Sequence, residues 1–157
     1  MFRMLIATDE KLGPFFLRLA LGIVMFAHGG QKVLGWFGGA GFSETVNVFT
    51  QKMNLPLWMV LLLMFIEFFG SLGLLAGFLT RLSAFGIGCA MTVCAFMHHL
   101  SNGFFMNWLG QQSGEGFEYH ILLLGICVAL LIEGGGAMSL DGILIEVHNR
   151  RYYRKYR

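Results

Sequence analysis

Residues 57–100 read LWMVLLLMFIEFFGSLGLLAGFLTRLSAFGIGCAMTVCAFMHHL. Two apolar runs, 57–79 and 82–100, are parted only by Thr80 and Arg81. At about 1.5 Å per helical residue, each run covers about 30 Å, the thickness of a bilayer's hydrocarbon core. The pair predicts a helical hairpin that crosses a membrane and returns, with its turn at 80–81. The same criterion finds two further runs, at 14–34 and about 119–140, each with aromatic residues near an end. The expectation is an all-α, integral membrane four-transmembrane-helix bundle. It forms a single membrane domain over 1–157, with outer loops at 35–56 and 101–118.

Composition supports this reading. Of the 157 residues, 56% are hydrophobic and 13% charged, against about 25% charged in ordinary globular domains, and mean hydropathy is +0.66. A soluble domain of this size cannot bury so much apolar surface, and a disordered chain needs the opposite balance. The N-terminus does not read as a cleavable signal, because Asp9, Glu10 and Lys11 interrupt a short apolar run before any small-residue cleavage site. Pro14 suits the first turn of the first span. Cys89, Cys94 and Cys127 all fall in apolar stretches without a C-x-x-C pair. On a regular helix Cys89 and Cys94 point about 140° apart, so all three read as small buried hydrophobes.

Lys and Arg set the orientation. Four spans put both termini on one side, and that side, with the 80–81 turn, holds Arg3, Lys11, Arg81, Arg150, Arg151, Arg154, Lys155 and Arg157. The opposite side holds Lys32 and Lys52, which predicts cytoplasmic N- and C-termini. The basic cytoplasmic tail, 146–157, carries Arg150, Arg151, Arg154, Lys155 and Arg157 beside three tyrosines. Following directly on a span, it reads as an anchor to anionic membrane lipids rather than a nucleic-acid site. In the first outer loop, Phe42, Val46, Phe49 and Met53 recur at helical spacing after Ser43, a predicted N-cap, so a short amphipathic helix is expected at about 43–53. Phe104, Phe105, Met106, Trp108 and Phe117 suggest that the second loop folds back on the bundle or its interface.

Charged groups within a bilayer cost several kcal/mol unless paired or hydrated. Arg18, His28, Lys32, Glu67, His98, His99, Glu118, His120 and Glu133 each need an explanation. On the first span Arg18, Leu21, Gly22, Met25, His28, Gly29 and Lys32 share an arc of about 120° that should face the bundle. Arg18 is expected to snorkel or to pair with Asp141 or Glu133, so Arg18, Arg81, Glu133 and Asp141 are assigned to structural ion pairing. Glu67 lies about 15 Å along its helix, near the midplane, within reach of His28 directly or through water. Only one of His98 and His99, and one of Glu118 and His120, can face inward on regular helices. His28, Lys32, Glu67, His98, His99, Glu118 and His120 are the candidate proton-handling residues of one pocket capped by the outer loops. The rival reading is a set of interhelical hydrogen-bond ties.

Several of these residues form a recognisable order. Arg18-Leu19, His28-Gly29 with Lys32, Phe37-Gly38-Gly39, Glu67 with Gly70 and Gly73, Leu79-Thr80-Arg81 and Ser139-Leu140-Asp141 together resemble the DoxX family of small four-helix membrane proteins, over about 13–145. The chain departs from the family at Gly134-Gly135-Gly136-Ala137-Met138, where a proline and a basic residue are frequent. The resemblance implies a multi-pass protein of the bacterial inner (cytoplasmic) membrane. It also implies association with quinone-linked or thiol- and sulfur-linked redox complexes, such as a thiosulfate:quinone oxidoreductase or an assembly with superoxide dismutase and a sulfurtransferase. It carries over no catalytic residues.

Three functions remain open. The first is a membrane subunit of a redox complex that binds a quinone and serves a soluble or membrane oxidoreductase partner. Glu67 and the histidines would handle protons, and the partner would supply electrons, since no motif for flavin, NAD or an iron–sulfur cluster is present. The second is binding or transport of a small solute or metal. His28, His98, His99 and His120 with Met25, Met97 and Met106 offer ligands suited to copper or haem, although the spacing defines no metal centre and none is assigned. The third is a non-catalytic scaffold, with faces such as Gly73/Gly77 and Gly86/Ala90 permitting a homo-oligomer.

Overall fold

The computed structural model describes the backbone of residues 2–155 and the side chains of 3–149. The described residues are all helix and connection, without strands: α1 (Phe2–Ile6), α2 (Leu12–Leu34), α3 (Gly41–Asn47), α4 (Leu57–Ala76), α5 (Thr80–Cys94), α6 (Glu118–Glu133) and α7 (Leu140–Lys155). Helices α2, α4, α5 and α6 pack in sequence order as a closed ring, α2 on α4, α4 on α5, α5 on α6 and α6 on α2. Successive long helices therefore run in opposite directions. Leu21, Met25, Leu74, Ile87, Leu123, Cys127 and Leu130 fill the centre.

The surface is apolar where a soluble bundle would be polar. Ile23, Leu62, Phe65, Phe69, Phe85, Val93, Phe96, Leu122 and Val128 all point outward and are exposed, an apolar belt suited to a membrane rather than to water. Three helical segments are long and apolar enough to cross a membrane, Leu12–Leu34, Leu57–Ala76 and Thr80–Asn102. The third includes a π-helical turn, Ala95–His99, and a final 3-10 turn, Leu100–Asn102.

Several boundaries differ from the periodicity reading. The second run stops at Ala76, where Gly77 takes φ 65°, and Leu79 adopts φ 47° as the turn closes. The fourth run does not continue to 140. Helix α6 ends at Glu133, and Gly134 (φ 81°) and Gly136 (φ 69°) break it into a loop before α7. Apolarity persisted through 134–140, but the glycines supply the backbone freedom that ends a helix. Helix α3 starts at Gly41, earlier than expected, so Ser43 lies inside it rather than capping it, and a π turn, Val48–Lys52, extends it. The basic tail continues α7 to Lys155; the side chains of Arg150, Arg151, Arg154 and Lys155, and all of Arg157, lie outside the described residues.

The end of the ring that carries the termini is closed by charged side chains on helix ends. Arg18, 1% exposed, donates to the carbonyls of Leu74 and Leu75 at the end of α4 and to Gly135, Ala137 and Met138 in the 134–139 loop. Arg81 donates to Leu131 and Ile132 at the end of α6 and to Ala7. Asp141 accepts from the backbone N–H of Leu79 (2.8 Å) and Thr80 (2.8 Å) at the start of α5. Each charge sits where the helix dipole favours it and satisfies groups that a helix leaves unpaired. Arg18 thus binds carbonyl oxygens rather than the carboxylates of Asp141 or Glu133. Glu133 pairs instead with Lys11, 2.6 Å away.

Candidate functional site

The opposite, loop end holds the polar residues that remain. Gly29 on α2 comes so close to α4 that a Cβ there would lie 2.8 Å from backbone atoms of Phe68. That approach, possible only without a side chain, brings Lys32, one turn further along α2, to Glu67. Lys32 Nζ donates to Glu67 Oε2 at 2.6 Å. The Glu67 side chain is 3% exposed and that of Lys32 21%. The pair satisfies a carboxylate deep in the bundle, where an unpaired charge is unfavourable. His28 lies within electrostatic range of both partners, but its side chain is exposed, so it borders the pair instead of joining a closed pocket.

A second cluster joins α5 to α6. Along a regular helix Cys94 and His99 would point about 140° apart. The π turn at Ala95–His99 widens the helical step and returns His99 towards the face of Cys94. Among the described residues, Cys94, His99 and His120 bring one potential ligand atom each to within 4.8 Å of one another. The His99 and His120 rings are 4.4 Å apart between centroids. His99 Nδ1 is 2.9 Å from the carbonyl oxygen of Glu115.

A third feature is an apolar cavity of about 230 Å³ between α4 and α5, lined by Trp58, Leu62, Ile66, Ala90 and Val93, with His98 and the thiols of Cys89 and Cys94 among its lining. The remaining candidate, Glu118, is half-buried against the 103–117 loop and accepts from the backbone N–H of Met106 at 2.8 Å. With Phe117 N–H bonded to Gly103 O and Glu118 N–H to Phe104 O, it ties the 103–117 loop at its neck. Trp108 at the loop tip is 85% exposed.

The seven predicted pocket residues are thus divided. Lys32 and Glu67 form a pair bordered by His28; His99 and His120 meet across two helices; His98 faces the α4–α5 cavity; Glu118 braces a loop. Sequence reasoning missed Cys94 as a partner of the histidines. A π turn has no signature in residue periodicity, so the available signal was chemical: a thiol four and five residues before two histidines.

A ring of antiparallel apolar helices with an apolar outer belt and buried charges defines a small integral membrane bundle. The chain belongs to the DoxX family, whose model matches residues 13–100, more than half of its length. It is also similar to the inner membrane protein YqjF of Escherichia coli (strain K12), with 29% identity over 135 residues that cover 86% of this chain and 94% of the relative. No solved structure shows a significant match.

Proposed function

We propose that this chain is a four-span protein of the bacterial inner membrane, with cytoplasmic termini, that presents a lipid-soluble quinone to a partner oxidoreductase. The observation that carries the reading is the α4–α5 cavity. It is almost wholly apolar, with the His98 imidazole as its strongest hydrogen-bonding group beside the thiols of Cys89 and Cys94. At about 230 Å³ it is smaller than the roughly 300–1,000 Å³ of a site that encloses a drug-sized ligand. It suits a head group whose tail remains in the bilayer. Trp58, Leu62 and Val93 are exposed on its rim, where lipid would lie.

A quinone takes up two electrons and two protons on reduction, and the electrons here come from the partner. His98 orients the head group by a hydrogen bond and passes a proton at a ring oxygen. Helix α6, at 16 residues about 24 Å long, completes the fourth span, with the 134–139 loop at the cytoplasmic boundary. The basic tail that follows carries charge that attracts anionic lipid.

The test is fluorescence of the purified protein in lipid nanodiscs, with Trp58 as the reporter within the cavity. A short-chain quinone should quench it saturably. Ala90→Phe, which fills the cavity, should weaken that binding at least tenfold, and a Trp58→Phe variant should lose most of the quenching. Absence of saturable quenching in the wild-type protein refutes the proposal.

A further inference from the structure

We propose that Cys94, His99 and His120 form a metal site for a thiophilic d10 cation, Zn²⁺ or Cu⁺, that bridges α5 and α6. The proposal is independent of quinone binding.

Geometry is the first support. One ligand atom from each residue lies within 4.8 Å of the others. In a tetrahedral zinc centre with bonds of about 2.0–2.1 Å to nitrogen and about 2.3 Å to sulfur, donors stand about 3.3–3.6 Å apart. Closing the difference takes side-chain shifts of about 1 Å and leaves the backbone alone. Thiolate with two imidazoles is a donor set that favours zinc and cuprous copper over the hard cations.

Preparation of the histidines is the second. The Glu115 carbonyl can only accept, so His99 Nδ1 must carry its hydrogen and donate it at 2.9 Å. That tautomer leaves the Nε2 lone pair free, the arrangement found where a backbone carbonyl orients a metal-bound histidine. The same carbonyl also accepts from Asn102 Nδ2 at 3.1 Å, and Asn102 is itself tied to the His98 carbonyl. The orienting group is therefore held from two sides.

The third support is His120. It is 6% exposed, and its Nδ1 is buried without a hydrogen-bond partner. Buried polar atoms are seldom left unpaired in folded proteins, and a cation between the facing rings of His99 and His120 supplies a partner. Coordination replaces the Cys94 S–H bond by a sulfur–metal bond and releases one proton to solvent. Three protein donors leave one position for water or an exogenous ligand. Cys94, which also lines the α4–α5 cavity, marks the side from which such a ligand would come.

The experiment uses the full chain purified in mild detergent. Metal analysis after growth with added zinc and copper should find close to one equivalent, and the element found distinguishes Zn²⁺ from Cu⁺. Titration of the metal-free protein with Co²⁺ should develop a sulfur-to-cobalt charge-transfer band and the visible bands of tetrahedral coordination. Cys94→Ser should abolish the charge-transfer band. His99→Gln and His120→Gln should each weaken binding at least tenfold, while Cys89→Ser stays within twofold of wild type. Circular dichroism confirms that each variant is folded; His99, only half-buried, carries the test should His120→Gln fail to fold. A folded wild-type protein with well under one equivalent, or a Cys94→Ser variant with the wild-type cobalt spectrum, overturns the proposal in favour of a water-bridged histidine pair.

Discussion

Lys32 Nζ and Glu67 Oε2, 35 residues apart in sequence, meet at 2.6 Å between α2 and α4. The contact depends on Gly29, whose missing side chain lets the two backbones touch, and it supports a carboxylate that bilayer and core would otherwise leave unsolvated.

Removing one partner should therefore be worse than removing both. Lys32→Met leaves a buried carboxylate and should destabilise the bundle by about 3 kcal/mol, while Lys32→Met with Glu67→Leu should recover most of that loss. Equilibrium unfolding in mixed detergent micelles measures the cycle. A double variant as unstable as the sum of the singles contradicts the pairing.

Two glycines make a contrasting pair. A Cβ on Gly29 would meet Phe68 backbone at 2.8 Å, whereas one on Gly125 would meet nothing within 4 Å. Gly29→Ala should cost about 1–3 kcal/mol through forced separation of α2 and α4. Gly125→Ala should be neutral or stabilising by up to about 1 kcal/mol through helix propensity. Thermal unfolding of both variants in one detergent decides the comparison.

Arg18 should tolerate no replacement, including lysine. Its planar guanidinium serves five carbonyl oxygens at once, a geometry that an ammonium cannot reproduce. Arg18→Lys should cost on the order of 2–4 kcal/mol and Arg18→Met at least as much, since carbonyls would be left unpaired. Yield of folded protein and resistance to detergent denaturation report the loss.

The Lys11–Glu133 contact outside the spans should be sensitive to alkali. The hydrogen bond that Lys11 donates to Glu133, then the charge of that carboxylate, raise the Lys11 pKa above the ordinary lysine range. A raised value for a base means stabilisation that is complete below the unfolded lysine pKa and lost as pH climbs through the folded one. Lys11→Met should thus differ from wild type in stability at pH 8, by a small amount because the pair is exposed, and the difference should vanish as pH exceeds that of lysine titration. A difference that grows with pH contradicts the assignment.

The long apolar helices were the legible part of the fold, whereas α1 and α7 were not read as helices. Apolar runs of about 20 residues and the Thr80-Arg81 break declare α2, α4 and α5 without further information, and the depth of Glu67 along its helix suggested His28 of α2 as its neighbour, where the structure pairs it with Lys32. What periodicity obscured were departures from 100° per residue. The π turn after Cys94 moved His99 to another face, and the glycines at 134 and 136 ended α6 within a run that remained apolar. Arg18 illustrates a different limit. Its acceptors are main-chain oxygens, which every residue carries and no residue type advertises, so carboxylates were the visible but incorrect partners. The candidate pocket was divided for the same reasons: helix rotation at the loop end depends on Gly29 and on the π turn, neither of which hydropathy registers.

Arg18 and Arg81 have a mechanical consequence. Between them they bind the ends of α4 and α6, the 134–139 loop and the segment before α2 at one end of the ring. At the other end the connections are a Gly-rich loop, two π turns and a loop closed at its neck. The two ends are thus fastened differently, by guanidinium-to-carbonyl bonds at the base and by the buried Lys32–Glu67 pair between α2 and α4 at the loop end. A molecule entering between α2 and α4 at the loop end would therefore have to break the Lys32–Glu67 pair, whereas one entering the α4–α5 cavity sideways from the lipid would leave every one of these fastenings intact.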